Sequence, residues 1–300
     1  MGVRLLATLL ACLTSVTVSD TAGTARTQGF PGDRGTFVTV SGTGVSYLLA
    51  HQAASGGFAE PGGEPSPQLT AYAVLGLRAA GARPRPETLT YLQEREDALT
   101  DLTDVELAAM AQSVLGRRPD RLLARIEHAK RTNGAIGANL NSTAWGILAL
   151  RQAGTRAPRA AIRYLLRHQN PSGGWSWLAG TQPDSNDTAA AVEALRAAGI
   201  RGKPIRRALA YLRRLQNRDG GFELTPGRGS DAQSTAWAVQ AFVAARKPAP
   251  KGSVRYLARL RRRDGSFRYS KQYVTTPVWV TSQVLPALAR KPFPLRPAAP

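Results

Sequence analysis

The feature that most constrains this chain is an internal repeat. Tyr47-Leu48 is followed by Gln52 and then Gly56-Gly57-Phe58. Tyr164-Leu165 leads to Gln169 and Gly173-Gly174-Trp175, and Tyr211-Leu212 to Gln216 and Gly220-Gly221-Phe222. In all three copies five steps separate the tyrosine from the glutamine and six separate the glutamine from the last aromatic residue. A fourth copy is degenerate: Tyr256-Leu257, then Arg261 at the glutamine position, then Gly265-Ser266-Phe267. A fixed spacing of this kind marks units that cannot bury an apolar face alone and must stack on their neighbours.

A second element follows each copy. It opens on a small polar residue and runs through apolar positions to a glycine: Thr70 to Gly81, Thr143 to Gly154 and Thr188 to Gly199, eleven steps each. Thr235 to Arg246 has the same length without the glycine, Val105 to Gly116 fits the frame, and a sixth element begins near Thr276. The Thr, Ser, Asp and Asn residues before each apolar run are read as helix N-caps and the terminal glycines as C′ residues. With the helical stretches Glu87 to Glu96 and Asp120 to Arg131, the spacing predicts about twelve helices, starting near residues 44, 67, 86, 103, 119, 141, 157, 187, 203, 233, 250 and 276. No strand pattern competes.

The two helix types differ in charge. The Thr-led helices (TAYAVLGLRAA, TAWGILALRQA, TAAAVEALRAA, TAWAVQAFVAA) carry almost none, as expected of helices buried on every side. The others carry arginine along one face, as in IRRALAYLRRL, and belong outside. An inner ring wrapped by an outer ring is an all-α (α/α)6 toroid, here spanning residues 42–290. Residues 26–41 lack helical period and are read as a linker. The tail from Lys291 to Pro300 has four prolines and is not a helix.

At the N-terminus, Arg4 precedes the apolar run Leu5 to Leu13, and Gly23-Thr24-Ala25 supplies small residues for cleavage. This predicts a signal peptide over residues 1–25 and an exported protein. The run is too short to span a bilayer. Leu9-Leu10-Ala11-Cys12 also loosely matches a lipidation site, the less favoured reading. Cys12 is the single cysteine, so the mature chain has no disulfide and no thiolate metal site.

The Tyr-Leu-x3-Gln-x3-Gly-Gly-[Phe/Trp] unit resembles the QW repeat of squalene and hopene cyclases, a superfamily that includes protein prenyltransferase β subunits. The resemblance covers residues 42–290. It implies that Gln52, Gln169 and Gln216, with Phe58, Trp175 and Phe222, tie each outer helix to the next loop and are structural. Class II terpene cyclases of this superfamily carry Asp-x-Asp-Asp-Thr-Ala at the start of an inner helix, and the middle aspartate protonates an alkene or epoxide. This chain has Asp184-Ser185-Asn186-Asp187-Thr188-Ala189, with asparagine in the middle position. A carboxamide supplies no usable proton. Asp184 and Asp187 are the remaining catalytic candidates, but a helix N-terminus is expected to lower their pKa values. The same frame recurs without acids at Asn139 to Ala144, so capping accounts for it. The zinc site of prenyltransferases, the thioester of complement-type domains and the zinc thiolates of lanthionine-type cyclases all need a cysteine that the mature chain lacks. Cobalamin carriers share a similar toroid and remain compatible. No metal or cofactor is predicted.

Aligned on their threonines, the inner helices place Tyr72, Leu107, Trp145, Ala190, Trp237 and Val278 in a third column. Leu75, Met110, Leu148, Glu193, Gln240 and Thr281 form a sixth. Both columns share a helical face. They predict a central pocket lined by Tyr72, Trp145 and Trp237, with Glu193 and Gln240 as polar contacts for a small apolar ligand. The competing arrangement is a filled core with Glu193 paired to an arginine. His51 and His168 share one repeat position, next to the motif glutamine, which implies a packing or surface role and not ligation.

Forty Lys+Arg against twenty Asp+Glu give a net charge of +20. The bases cluster on outer helices, as from Arg201 to Arg218 and Arg255 to Arg263. They suit an anionic envelope polymer or membrane surface. No nucleic-acid motif or interleaved aromatics accompany them. The sequence therefore points to an exported, monomeric and non-catalytic toroid that binds a small ligand or serves as an envelope scaffold. The alternative is a single-barrel, terpene-cyclase-like enzyme acting on a linear isoprenoid.

Overall fold

The computed structural model describes residues 33–295, with side chains from residue 42 onward. The predicted signal peptide, Cys12 and the end of the proline-rich tail lie outside the described residues.

Twelve α-helices follow one another among them: α1 Asp33–Ala50, α2 Pro67–Ala79, α3 Glu87–Glu94, α4 Leu102–Val114, α5 Asp120–His128, α6 Leu140–Gln152, α7 Arg159–Arg167, α8 Ser185–Ala197, α9 Lys203–Arg214, α10 Ala232–Ala244, α11 Ser253–Arg259 and α12 Pro277–Leu288. Eleven of the twelve starts fall within three residues of the sequence expectation. The exception is α1, which begins at Asp33, so the backbone of residues 33–41, read as linker, is helical. Gly and Thr there weaken a helix without blocking it, and no proline interrupts the ladder after Pro31.

The even-numbered helices form the inner ring. Each packs on the next, from α2 through α4, α6, α8 and α10 to α12, and α12 packs back on α2. The ring is closed. Its helices are buried almost all round, as their lack of charge required. The odd-numbered helices lie outside, and α5, α7, α9 and α11 expose arginines. Closure is also polar. The Glu60 carboxylate accepts the backbone N–H groups of Val278 (2.9 Å) and Trp279 (2.8 Å), serving the first turn of α12, whose own N-cap side chain makes no capping bond. An acid at a helix N-terminus is stabilising there.

The repeat motif explains itself in three dimensions. Gln169 Nε2 donates to Gly173 O (2.7 Å) and to Pro204 O (2.9 Å) on the next outer helix. Gln216 repeats this with Gly220 O and Lys251 O, and Gln52 with Gly56 O and Thr88 Oγ1. The first glycine of the pair is needed twice over. Gly173 has φ +101°, and a Cβ there would sit 2.5 Å from Arg207 O. The second glycine receives the tyrosine of the following repeat: a Cβ on Gly174 would meet Tyr211 Cε1 at 2.8 Å. Tyr211 then donates to Pro183 O at 2.6 Å. Phe58, Trp175 and Phe222 are buried beneath these turns.

The threonines are not N-caps. The caps lie four residues earlier: Ser66, Asn139, Asp184 and Asp231 each accept an N–H of the first turn. The threonine hydroxyl instead accepts the N–H of the motif aromatic, as in Trp175 N to Thr188 Oγ1 and Phe222 N to Thr235 Oγ1, both 2.9 Å. Each thus fastens an inner helix to the turn before it. In the last repeat that role falls to Thr281, which accepts Phe267 N at 3.1 Å. The sixth inner helix therefore runs five residues out of the frame that was set on Thr276.

His51 and His168 each lean on the tyrosine one turn earlier, with ring centroids 4.2 and 4.3 Å apart.

Candidate functional site

With α12 placed in its true frame, the third column reads Tyr72, Leu107, Trp145, Ala190, Trp237 and Gln283. Gln283 rather than Val278 faces the axis, and Trp237 Nε1 donates to Gln283 Oε1 at 2.8 Å. Pro286 takes the sixth-column place assigned to Thr281, so Thr281 is not a polar neighbour of Glu193 and Gln240.

The structure brings four of the five predicted pocket residues into one chain of contacts. Tyr72 packs edge-on against Trp145 (6.4 Å between centroids) and against Trp279 (6.1 Å). Trp145 packs edge-on against Trp237 at 5.5 Å. Glu193, fully buried on α8, meets this group through Phe293, whose ring lies 6.3 Å from Trp145 and 6.0 Å from Trp237. The Phe293 N–H donates to Glu193 Oε2 at 2.6 Å. Gln240 lies one turn beyond Trp237 on α10, buried, with its Oε1 lacking a partner. Among the described residues Glu193 pairs with no arginine. Its companion is the backbone of a segment one hundred residues away.

That segment is the tail. After α12 the chain turns through Arg290 at φ +53°, with Lys291 N donating to Pro286 O at 3.0 Å, a Schellman-type end. It then enters the ring from the C-terminal ends of the inner helices. Phe293 and Leu295 are buried, and Gln152, the last residue of α6, donates from Nε2 to Leu295 O at 2.5 Å. The prolines exclude helix from the tail but not burial, and they leave two positions with no N–H to satisfy.

The opposite end of the ring holds the acidic candidates. Asp184 caps α8, its Oδ1 accepting the Asp187 N–H at 2.8 Å. Asp187 sits one turn in, buried against α6, where Asn141 Nδ2 donates to its Oδ1 at 2.6 Å. The two carboxyls lie close enough to influence each other's ionisation. Burial, then the Asp184 charge, push Asp187 well above the usual carboxylate range. Burial raises Asp184 too, against the hydrogen bonds it accepts. This overturns the expectation of lowered values: desolvation outweighs the helix N-terminus. Two like carboxyls this close disfavour double ionisation, and the more deeply buried Asp187 is the one raised further. Asn186 stands between them, partly exposed.

Two more carboxyls are shifted by burial alone or nearly so. Glu193 is held well above its usual range by burial, opposed only by the Phe293 N–H. Glu106 on α4, fully buried with neither oxygen partnered, is raised likewise. Sequence columns found Glu193. They missed Glu106, Gln152 and Gln283, which stand in helices with other polar residues and carry no distinguishing signal.

The basic residues of the outer helices serve the fold in part. Arg207 donates to Asn170 O and Pro171 O, Arg214 to Ser172 O, and Arg259 to Asp219 O, all carbonyls of the preceding turn.

Residues 156–296, just under half of the chain, match the family model of the squalene-hopene cyclase C-terminal domain. No curated protein matches the chain in sequence. Among solved structures, the type II terpene cyclase MstE from Scytonema superposes with a TM-score of 0.66 at 16% identity, over 86% of this chain and 98% of that one. An ent-copalyl diphosphate synthase from Streptomyces platensis gives 0.53 at 22% identity, over 77% of this chain and 52% of that one. A glycosidase in complex with glucose gives 0.59 at 12% identity, over 86% and 97%. Structural likeness at these identities is likeness of fold, and the same toroid serves both terpene and sugar chemistry. Family model and fold together bear out the squalene/hopene cyclase superfamily read from the repeats.

Proposed function

We propose that this toroid of squalene/hopene cyclase type is a terpene-cyclase-like isomerase, with Asp187 as the proton source. The observation that carries the reading is the pairing of half-buried Asp184 with buried Asp187 at the N-terminus of α8, at the acid motif's own place in the chain. A proton-initiated cyclisation needs a carboxylic acid that stays protonated in an apolar surrounding. Asp187 has the burial, and Asp184 beside it accepts its backbone N–H. Trp145, Trp237 and Tyr72 supply aromatic faces, which attract cationic centres.

The reaction class follows from the parts. Asp187 gives its proton to a terminal alkene carbon of a linear isoprenoid, the resulting cation is attacked by the next double bond, and a proton leaves at the end. Mass is unchanged, and the enzyme ends in its starting state once Asp187 is reprotonated. The relative MstE, crystallised with geranylgeranyl dihydroxybenzoate as substrate, makes a geranylgeranyl-bearing phenol a sensible first probe.

The test is incubation in heavy water with linear geranylgeranyl compounds and squalene, followed by mass spectrometry. A cyclic isomer carrying one deuterium, absent with Asp187→Asn and enhanced with Asn186→Asp, is the expected result. No conversion of any probe by the wild type or by Asn186→Asp overturns it.

A second reading is favoured by the position of Phe293. A ring filled along its axis suits an exported, non-catalytic toroid whose basic outer face meets an anionic envelope polymer or membrane. Salt-sensitive retention on such a polymer, with no turnover, is its signature.

A further inference from the structure

We propose that the axis of the ring is a peptide-recognition site, filled in cis by Pro292-Phe293-Pro294-Leu295, which any other axial ligand must displace. The inference goes beyond the enzymatic reading and stands whether or not the ring carries out chemistry.

The site treats the tail as a bound peptide. Phe293 is the anchor, its ring packed against Trp145 and Trp237. The backbone is read at two points by side chains from two different inner helices. Glu193 Oε2 accepts the Phe293 N–H at 2.6 Å, and Gln152 Nε2 donates to Leu295 O at 2.5 Å. One group is an acceptor for an N–H and the other a donor for a C=O, the pairing an extended peptide requires. Proline at 292 and 294 removes the two N–H groups that have no acceptor there. A proline-flanked segment also loses less conformational freedom when it docks.

The hydrogen-bonding capacity of the axis exceeds what the tail uses. Among the described residues, the buried atoms Glu193 Oε1, Gln152 Oε1, Gln240 Oε1 and Gln283 Nε2 have no hydrogen-bond partner. The four residues lie at 0, 4, 1 and 3% exposure. Buried polar groups are rarely left unmatched. Four of them around one occupant mark a site built for a ligand with more polar atoms than the tail brings to it.

The tail can leave without unravelling its neighbours. The α12 end is closed by its own hydrogen bonds, Arg290 N to Ala287 O at 3.1 Å and Lys291 N to Pro286 O at 3.0 Å. The chain reverses at Arg290, so withdrawal of the residues after Lys291 swings about a turn that stays intact. A ligand competing with a cis occupant binds with its affinity reduced by the fraction of open ring.

The test uses the full chain and a fluorescein-labelled peptide, acetyl-Lys-Pro-Phe-Pro-Leu-amide, followed by anisotropy. Phe293→Ala removes the anchor of the cis segment. It is expected to bind the labelled peptide at least tenfold more tightly than the wild type, with no binding of the analogue in which the peptide's Phe is Ala. Equal or absent binding by both proteins, with Phe293→Ala melting as the wild type does, overturns the proposal. Should Phe293→Ala fail to fold, amide exchange in the wild type decides. A Phe293 amide that exchanges at least tenfold faster than the α8 and α10 core supports displacement. One that exchanges only with global unfolding overturns it.

Discussion

Asn141 on α6 donates to Asp187 Oδ1 on α8 across 2.6 Å, and so ties the acid of one inner helix to the side of the next. Asp187→Asn keeps the shape and the acceptor for Asn141 while removing the ionisable group. A carboxyl raised by burial binds its proton more tightly in the folded state than in the unfolded chain. Its stabilising effect is therefore complete at low pH and is lost as pH rises through the folded value. Asp187→Asn is expected to raise the melting temperature at pH 7 and to lessen the fall of stability with pH, while abolishing any cyclisation. A melting series at fixed salt checks this, and a variant less stable than wild type at pH 7 contradicts it.

Asp231 offers the same test with a defined window. Burial pushes it up to about 6 from 3.8, against the hydrogen bonds of Ser234 and Gln233. Stability owed to it should therefore decline between pH 4 and pH 6, by at most about 1.4 kcal/mol per pH unit for one proton. Asp231→Asn keeps an N-cap acceptor, as Asn139 does in its own repeat. The variant should match the wild type at pH 4 and exceed it at pH 7. Urea midpoints at the two pH values measure the difference.

Two glycines with positive φ separate strain from contact. Gly154 (φ +76°) has open space where a Cβ would stand, whereas Gly173 (φ +101°) would place one 2.5 Å from Arg207 O. Gly154→Ala should cost about 1–2 kcal/mol, the price of a left-handed non-glycine residue. Gly173→Ala should cost at least twice as much, since backbone of α9 must move. Chemical denaturation of the two variants reads the ratio, and equal losses would show that the turn does not press on α9.

Thr188→Val is nearly isosteric and leaves the Trp175 N–H without its acceptor at a fully buried site. The expected loss is about 1–3 kcal/mol. Thr188→Ser, which keeps the hydroxyl, should recover most of it. A failure of serine to recover stability would assign the role to the methyl group.

Much of this was legible in the sequence because the repeat encodes local requirements. Gly81, Gly116, Gly154 and Gly199 end their helices with φ between +76° and +92°, as their positions foretold. The outer-helix tyrosines, the paired glycines and the glutamines recur because each touches the next unit in one fixed way. What failed has equally local causes. Thr276 and Thr281 lie five apart, and only the partner Phe267 tells which one takes the repeat's threonine role. The raised carboxyls Asp184 and Asp187 depend on how deeply α8 is buried at its start, which spacing does not give. Phe293 was passed over because four prolines mark a segment that cannot be a helix, and such a segment is easily read as solvent-exposed. Only the third dimension shows that it is anchored between Trp145 and Trp237.

The carboxylate of Glu60 meets Val278 and Trp279 across more than two hundred residues of chain. An open solenoid grows or shrinks by whole repeats, because each unit sees only its neighbours. Here the last hairpin must arrive beside the first for Glu60 to find its two N–H groups. The number of hairpins is thereby fixed by geometry, and a gain or loss of one would leave a gap or an overlap at that meeting point. Variation in such a protein is channelled into its loops and its tail, the parts that can change length without changing the count.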